Sequence, residues 1–346
     1  MKKDVCAIVV TYNRKDLLAE CLDALLKQTE PIQGIYLIDN ASVDRTPEFL
    51  LQKGYISELP PMILEEPWEK QFIIKNYTNS NYVNLYYVRM NRNMGGAGGF
   101  YEGIKRAYKK GYSWFWLMDD DTIPKYNALE VLLEKIEQVE GCEIGFLSSK
   151  VLWTDGKPHL MNVQGLANLL SGDPKIINIQ NENCTYHRAI PFNLFDDKGI
   201  LLVNSASFVS LLINREVVKR VGLPIKEYFI WADDFEYTWR ITEKGLLGLY
   251  VCESIVIHKT KTNYTANRIY DWRFYFNTRN FLWTYKLHDK IKYFYYIAKT
   301  FKDMFKSPLR VWPDTLRAIF VSLVTTPSIE YLENSLLENI KEDGNT

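Results

Sequence analysis

The fold of this chain is decided by the stretch Trp114-Phe115-Trp116-Leu117-Met118-Asp119-Asp120-Asp121. Its five consecutive apolar residues predict a strand that is buried on both faces of a sheet. Three carboxylates follow directly, and a core cannot hold unpaired charge without a large cost in free energy. We therefore place the carboxylates at the carboxyl end of a parallel strand, where open α/β sheets bind their ligands.

The three carboxylates point in alternating directions if the chain is extended there. Asp119 and Asp121 then share one side, and Asp120 faces the other. Two carboxylates on one side repel each other unless a divalent cation lies between them. A solvated acidic turn is the alternative, but a position directly after a buried strand favours a ligand site.

Length and composition describe a soluble globular protein. The 346 residues are enough for about two domains, and 47% of them are hydrophobic and 24% charged. The formal net charge is zero, so any attraction to nucleic acid or to acidic membranes must be local. The five cysteines are scattered without a CxxC pair, and no apolar run reaches the ~18 residues of a membrane span. We expect a cytosolic chain in a reducing compartment.

Upstream of the carboxylates, strands and helices alternate. Residues 5–10 predict a strand, an amphipathic helix follows, and residues 34–39 predict a second strand before a helix that begins near Ser42. This alternation predicts a parallel, doubly wound sheet. Residues 55–83 interrupt it with prolines and acidic residues. We interpret them as an insertion that is either a long loop or a contact between copies of the chain in a homo-oligomer.

A glycine-rich run precedes the central strand and follows a strand predicted over residues 84–88: Asn91-Arg92-Asn93-Met94-Gly95-Gly96-Ala97-Gly98-Gly99. Glycines at a strand-to-helix junction let the backbone approach a ligand, and the helix N-terminus beyond them favours negative charge. Tight packing and phosphate binding are both compatible with this run.

Downstream, a second acidic cluster and a histidine complete the pattern. We predict a helix over 127–138, a strand over 144–151, a loop-rich substrate-facing region over 153–200 and an apolar strand over 200–213. The cluster Asp233-Asp234-Phe235-Glu236 opens a helix, where capping accounts for one carboxylate but not three. A strand over 249–257 ends at His258.

Asp119, Asp121 and His258 each follow a predicted strand, so the three side chains can meet at one edge of the sheet. Two carboxylates and one imidazole suit an octahedral Mn²⁺ or Mg²⁺ site that leaves positions for phosphate oxygens and water. A further carboxylate beside the metal, outside its coordination shell, can deprotonate an attacking hydroxyl.

The C-terminal region has a different character. Residues 259–317 contain 13 Lys or Arg against 4 Asp, with aromatic residues interleaved. Interleaved basic and aromatic residues on helices are typical of a surface that faces anionic lipid. A helical subdomain with an aromatic core is the alternative. Nucleic-acid binding is disfavoured because no recognition motif accompanies the charge.

Several motifs now carry a resemblance to a known family. They are Val9-Val10-Thr11-Tyr12-Asn13-Arg14, Ile38-Asp39-Asn40-Ala41-Ser42, Asn93-Met94-Gly95-Gly96, the triple Asp, Trp231-Ala232-Asp233-Asp234-Phe235-Glu236 and His258. Over roughly residues 4–285 the chain resembles an inverting family 2 glycosyltransferase of the GT-A type. The glycine-rich run and the stretch 273–280 make it most similar to the galactofuranosyltransferase and rhamnosyltransferase branch.

The resemblance implies an α/β fold: a Rossmann-like GT-A domain over 1–258 whose mostly parallel sheet is flanked by helices. Residues 1–125 would form the nucleotide-sugar half and 126–258 the acceptor half. Residues 259–346 would form a basic, aromatic helical extension.

The resemblance also implies roles for single residues. The donor would be bound by Thr11, Tyr12, Asn13, Arg14, Asp39, Asn40, Asn93, Gly95, Gly96, Asp119 and Asp120. The metal ligands would be Asp119, Asp121 and His258. Asp234 would be the general base, and the catalytic and acceptor-binding set would add Trp231, Asp233 and Glu236.

The function implied is transfer of a sugar, best matched by galactofuranose from a UDP donor, to a glycan or lipid-linked acceptor of a bacterial surface polysaccharide. The enzyme would lie on the inner face of the cell membrane. The alternatives are a rhamnosyltransferase that uses a dTDP donor, a non-catalytic nucleotide- or sugar-binding protein and a metal-dependent nucleotidyltransferase.

Overall fold

The computed structural model describes residues 4–79, 81–139, 143–166, 195, 200–263 and 270–332. In this part of the chain eleven strands form one sheet: β1 Val5–Thr11, β2 Gly34–Asp39, β3 Trp68–Lys75, β4 Tyr82–Arg89, β5 Trp114–Asp119, β6 Thr122–Pro124, β7 Ile144–Leu152, β8 Gly165–Leu166, β9 Ile200–Ser205, β10 Leu211–Asn214 and β11 Leu247–His258. The helices are α1 Lys15–Leu25, α2 Thr46–Gln52, α3 Gly95–Lys110, α4 Ala128–Gln138, α5 Arg215–Val221, α6 Asp233–Glu243, α7 Arg273–His288, α8 Lys290–Met304 and α9 Trp312–Val324.

The sheet is mixed, with a parallel half that carries the predicted ligand edge. Its strand order is β3-β4-β2-β1-β5-β10-β7-β11-β9-β8, and β6 pairs with β11 outside this path. Strands β4, β2, β1 and β5 are parallel, as expected for the N-terminal half. The second half departs from a mostly parallel sheet because β10 runs antiparallel between β5 and β7.

The central strand has the burial that its composition predicts. Residues 114–118 are all buried, and helices cover the sheet on both sides with separate apolar clusters. On one side α3 lies so close to β1 that a Cβ on Gly103 would come within 2.3 Å of the Ile8 side chain. This close approach fixes α3, and with it the glycine-rich run at its N-terminus, against the sheet.

Two predicted elements differ from the structure. Residues 55–83 are not a continuous loop, because β3 lies within them as the edge strand beside β4. Its exposed positions alternate with buried or partly buried ones, and only part of one face is fully buried, a pattern typical of an edge strand. The apolar stretch over 200–213 is two strands, β9 and β10, separated by a short turn at Phe208–Ser210. Most of the predicted substrate-facing region over 153–200 lies outside the described residues.

Helices α7, α8 and α9 pack together as the C-terminal helical region. The Tyr285 ring of α7 stacks on Tyr296 of α8 at 4.1 Å, and the Tyr293 hydroxyl of α8 donates to the Ser322 carbonyl of α9 at 2.9 Å. None of the helices in the described part of the chain has both the length and the apolar character needed to cross a bilayer.

Candidate active site

Asp120 is held by the end of the neighbouring strand β1. The Thr11 hydroxyl donates to Asp120 Oδ2 at 2.7 Å, and the Tyr12 backbone N–H approaches the same oxygen at 3.3 Å. The Arg14 guanidinium contacts Asp120 Oδ1 at 3.3 Å and Asp121 Oδ2 at 2.6 Å. Burial raises the pKa of Asp120 to about 7, although the charge of Arg14 opposes this shift.

Asp119, Asp121 and His258 meet as the spacing predicts. One ligand atom from each lies within 4.8 Å of the other two. The pairing of β6 with β11 brings them together, because His258 lies opposite Thr122 and the Lys259 N–H donates to the Asp121 carbonyl at 2.8 Å. Asp120 contacts Thr11 instead, in agreement with the predicted alternation.

The chemistry of this triad fits a divalent cation. His258 Nδ1 lies 2.8 Å from Asn162 Oδ1, which orients the ring so that Nε2 faces Asp121 Oδ1 at 3.0 Å. An oriented imidazole and two carboxylates are the donors that Mn²⁺ or Mg²⁺ accepts, and the hydrogen bond on the second ring nitrogen is typical of metal-binding histidines.

Asp121 and His258 shift each other's pKa. Burial opposes both shifts, but the contact between His258 and Asp121 raises the pKa of the imidazole and lowers that of the carboxylate. A divalent cation held by Asp119, Asp121 and His258 would compete with protons for these side chains, so its binding would depend on pH.

Asp39 and Asn40 connect β2 to the glycine-rich run. Asp39 is fully buried, and its carboxylate accepts hydrogen bonds from the Tyr87 hydroxyl at 2.7 Å, the Arg89 guanidinium at 2.5 Å and the Ser42 N–H at 2.8 Å. Asn40 donates to the Gly95 carbonyl at 2.9 Å. Both side chains thus shape the loops at this edge of the sheet.

Hydrogen bonds also join the loops that carry the other residues of the predicted donor-binding set. The Asn13 side-chain oxygen accepts from the Val43 N–H at 2.6 Å, and the Asn13 N–H donates to the Ser42 hydroxyl at 3.0 Å. Asn93 accepts from the Gly95 N–H at 2.8 Å. The Tyr12 side chain is 43% exposed, so it remains accessible from this edge.

Gly95 is where the glycine-rich run meets the second acidic motif. Its φ is +71°, and a Cβ there would lie 1.9 Å from the Phe229 carbonyl oxygen. The same oxygen accepts from the Ala97 N–H at 3.2 Å. A Cβ on Gly96, in contrast, would meet no atom within 4 Å. Glycine is thus required at 95 for contact between the two motifs, and Gly96 borders open space.

The loop before α6 has an unusual backbone. Phe229, Trp231 and Ala232 all have positive φ, at 65°, 70° and 64°. A residue with a Cβ that has positive φ costs about 1–3 kcal/mol in conformational free energy, and it persists only where the surrounding structure enforces the conformation. Such clusters of strain are typical of functional sites.

Asn280 of α7 enforces this conformation. Its side-chain amide donates to the carbonyls of Tyr228, Ile230 and Trp231 at 2.9, 2.9 and 2.7 Å, and Asn280 is fully buried. The neighbouring Arg279 donates to the Glu227 carbonyl at 2.7 Å. The C-terminal helical region therefore shapes the loop that carries the second acidic motif.

Asp233 and Asp234 follow this loop at the start of α6. Asp233 is 7% exposed, whereas Asp234 is partly exposed and accepts from the Phe235 N–H at 2.6 Å. Burial raises the pKa of Asp234 to about 6, with a contribution from the charge of Asp119. Burial and the charge of Asp234 raise the pKa of Asp233 well above its usual range. The charge of Asp119 thus acts on the carboxylates of the second acidic motif.

Glu236 lies apart from Asp233 and Asp234. It is fully buried, and its carboxylate contacts Arg240 at 2.9 Å and His288 Nε2 at 3.0 Å. These contacts direct its side chain towards α7 and the interior. Trp231 is partly buried, with the Arg273 guanidinium 5.3 Å from its ring centroid.

Sequence reasoning missed Asn162, Arg89, Asn280 and His288, which contact the predicted site residues. Of these, only Asn280 lay in a recognised motif, the stretch 273–280, to which no role was assigned. Asn162 lies in a loop, and its contact with His258 spans 96 residues, so local pattern gave no signal.

The comparisons agree with this architecture. A profile of "Glycosyl transferase family 2" matches residues 6–55 and 69–190. The chain is 27% identical over 248 residues to galactofuranosyltransferase GlfT1 of Mycolicibacterium smegmatis, covering 70% of this chain and 66% of the relative. It is 30% identical over 249 residues to galactofuranosyltransferase GlfT1 of Mycobacterium tuberculosis, covering 71% of this chain and 67% of the relative. The match thus spans about two thirds of the relatives' length.

Among solved structures, the crystal structure of GalNAc-T7 with UDP, GalNAc and Mn²⁺ has a similar fold. The TM-score is 0.56 at 14% sequence identity, over 88% of this chain and 51% of that protein. The mixed sheet with helices on both faces is the α/β arrangement of the GT-A type.

Proposed function

Because the chain belongs to family 2 of the glycosyltransferases, in the galactofuranosyltransferase branch, we propose that it transfers galactofuranose from UDP-galactofuranose with inversion. The acceptor would be a hydroxyl of a glycan or of a lipid-linked glycan. The observation that carries the proposal is the convergence of the triad Asp119, Asp121 and His258 with the partly exposed Asp234. A metal-binding triad serves a diphosphate leaving group, and a separate carboxylate serves the attacking hydroxyl.

In this proposal Asp234 is the general base. With a pKa of about 6 it is mostly ionised at neutral pH, yet it is more basic than an ordinary carboxylate. It accepts the acceptor proton as the hydroxyl attacks the anomeric carbon from the face opposite to the diphosphate. Bound Mn²⁺ or Mg²⁺ would stabilise charge on the leaving diphosphate.

The donor is proposed to lie along the strand ends. Thr11, Arg14 and Asp120 would form the floor beneath the nucleotide, and the N-terminus of α3 would face the diphosphate, since Gly96 leaves open space there. Asp39 and Asn40 would act by holding the surrounding loops. Trp231 would offer a ring face to the acceptor sugar.

Glu236 has a positioning role in this proposal. Its ion pairs with Arg240 and His288 fix the first turn of α6, which carries Asp233 and Asp234. Attachment of the enzyme to the inner face of the membrane is also part of the proposal.

The proposal is tested by product analysis with purified full-length chain, Mn²⁺ and either UDP-galactofuranose or dTDP-rhamnose. We expect release of UDP, a β-linked product and no pyrophosphate. Turnover with dTDP-rhamnose alone would assign the rhamnosyltransferase instead, and pyrophosphate release would assign a nucleotidyltransferase. A non-catalytic binder would show stabilisation by the ligand, about 2.7 kcal/mol at ~100 times its dissociation constant, but no release of UDP and no glycosylated product.

A further inference from the structure

Helices α8 and α9 expose two apolar stripes on their outer faces. Along α8 and its C-cap the exposed apolar residues recur every three or four positions, at Ile291, Phe294, Ala298, Phe301 and Phe305. On α9 they are Leu316, Phe320, Leu323 and Val324. Ile291 is 86% exposed and Phe320 is 62% exposed. Side chains at this spacing share one helix face, so each helix carries a continuous stripe.

The inner faces of both helices are already used. Tyr293 of α8 reaches Ser322 of α9, and Tyr296 stacks on α7. At the turn between the helices, the rings of Phe305 and Trp312 are 5.1 Å apart. Within the described part of the chain, the inner faces of both helices make contacts with the protein, and the apolar stripes on their outer faces stay exposed.

Basic side chains accompany these stripes. Residues 290–324 contain seven Lys or Arg and two Asp, a net charge of +5 in a chain whose net charge is zero. Lys290, Lys302, Lys306 and Arg310 are all exposed. The stripes and the basic residues of 290–324 together are called the α8–α9 face below.

We infer that the α8–α9 face binds the surface of an anionic lipid bilayer, with its apolar stripes at the boundary between headgroups and acyl chains. Amphipathic helices with aromatic and basic residues lie in the plane of such a surface. A second copy of the chain is a poorer occupant, since it would bring an equally basic face against this one. The inference rests on the membrane attachment in the proposed function and names the surface responsible, and it holds for either sugar donor.

Vesicle sedimentation with the full-length chain tests this inference without any sugar donor. We expect the chain to sediment with phosphatidylcholine vesicles that contain phosphatidylglycerol, and to remain soluble with pure phosphatidylcholine. Binding should weaken at high salt, because exposed charges are screened. No sedimentation with the phosphatidylglycerol vesicles at low salt would overturn the inference.

Variants locate the surface. Lys302→Gln with Arg310→Gln should lower the partition coefficient about thirtyfold, and Phe294→Gln with Phe320→Gln should lower it by about tenfold or more. The matched controls are Lys53→Gln with Lys109→Gln, and Ile73→Gln on β3, all exposed and outside this face. Controls that weaken binding as much as the α8–α9 variants would also overturn the inference.

Two further readouts separate the alternatives. All four substituted residues of the α8–α9 face are exposed, so the melting temperature and transfer to a soluble acceptor should remain unchanged. If light scattering shows a dimer that Phe294→Gln with Phe320→Gln converts to a monomer, the face binds a second copy and the lipid assignment is wrong.

Discussion

The two acidic motifs of the site are stabilised by different means. The carboxylates of 119–121 are surrounded by side-chain partners, because Arg14 supplies positive charge, His258 supplies a ring nitrogen and Thr11 supplies a hydroxyl. Asp233 and Asp234 instead follow a strained loop whose carbonyls are held by Asn280. The first motif is fixed by charge, and the second by backbone geometry imposed from another helix.

Because of this difference, the proposed donor side and the proposed acceptor side of the site depend on different parts of the chain. The partners of the first motif come from strand ends between residues 5 and 258, so the proposed donor and metal site is contained within the predicted GT-A domain. The second motif needs α7, which lies in the predicted C-terminal region over 259–346. The helical region is therefore joined to the proposed acceptor side as well as to any membrane surface.

The largest expected effect is on the rate of transfer, and it distinguishes the roles of the two acidic motifs. Asp234→Asn should lower the rate of transfer about a thousandfold, because a positioned general base contributes 10²–10⁴ and an amide cannot accept the proton. Single-turnover kinetics measures the loss, and stabilisation by Mn²⁺ with UDP should be unchanged. Asp121→Asn should remove both transfer and this stabilisation. If Asp234→Asn also abolishes nucleotide binding, the two motifs do not have separate roles.

The second prediction concerns the scaffold of the acceptor-side loop. Asn280→Ala removes the donors to three carbonyls and should lower kcat about 10- to 100-fold without weakening nucleotide binding, since small displacements of a base are costly. Both kcat and the acceptor KM are measured below the melting temperature.

The matched control for Asn280 is Thr284→Val, one turn later on α7. Thr284 is also buried and hydrogen-bonded, but it contacts the Tyr228 hydroxyl and not the loop carbonyls. Its loss should destabilise the fold with little effect on kcat. Equal loss of kcat in both variants would mean that α7 contributes stability alone.

The sequence predicts the first motif better than the second, for a physical reason. Strand ends of a parallel sheet converge, so the spacing of Asp119, Asp121 and His258 after their strands was sufficient to place them together. Positive φ at Phe229, Trp231 and Ala232 leaves no signature, because none of them is glycine. The contact of Asn280 with Tyr228 joins residues 52 positions apart, beyond any local pattern.

The third prediction compares two adjacent glycines where the motifs touch. Gly95→Ala should destabilise the fold by about 2 kcal/mol, because its φ is +71° and the new Cβ would strike the Phe229 carbonyl. Gly96→Ala should be neutral or slightly stabilising, because it meets no neighbour and lies in a helix. Urea unfolding of both variants checks the difference. Equal stabilities would show that the contact at Phe229 can relax freely.

The smallest effect concerns the ion pairs beneath the second motif. His288 lies 3.0 Å from Glu236 and 2.6 Å from Glu243, so the two carboxylates raise the pKa of its imidazole above the usual 6.5, although burial opposes the shift. A raised folded-state pKa means that the protonated ring stabilises the native state fully below about pH 6.5. This contribution is lost as the pH rises through the folded-state pKa. Burial opposes a lower pKa for Glu236, but Arg240 and His288 outweigh it and lower the Glu236 pKa from 4.5. Glu236 is therefore ionised throughout this pH range.

His288→Gln keeps a neutral donor but removes the titratable charge and the ring that stacks on Trp239. Wild type should therefore be more stable than this variant by about 1–2 kcal/mol near pH 6, and in alkaline buffer the difference should shrink to the part that the ring contact contributes. Urea unfolding of both proteins at several pH values measures the difference. Glu243→Gln removes the charge of the more exposed carboxylate and should reduce the pH dependence by a smaller amount. A difference that stays constant with pH would show that His288 is neutral in the folded protein. Among the described residues, Arg240 would then be the one charged partner of Glu236 in the first turn of α6.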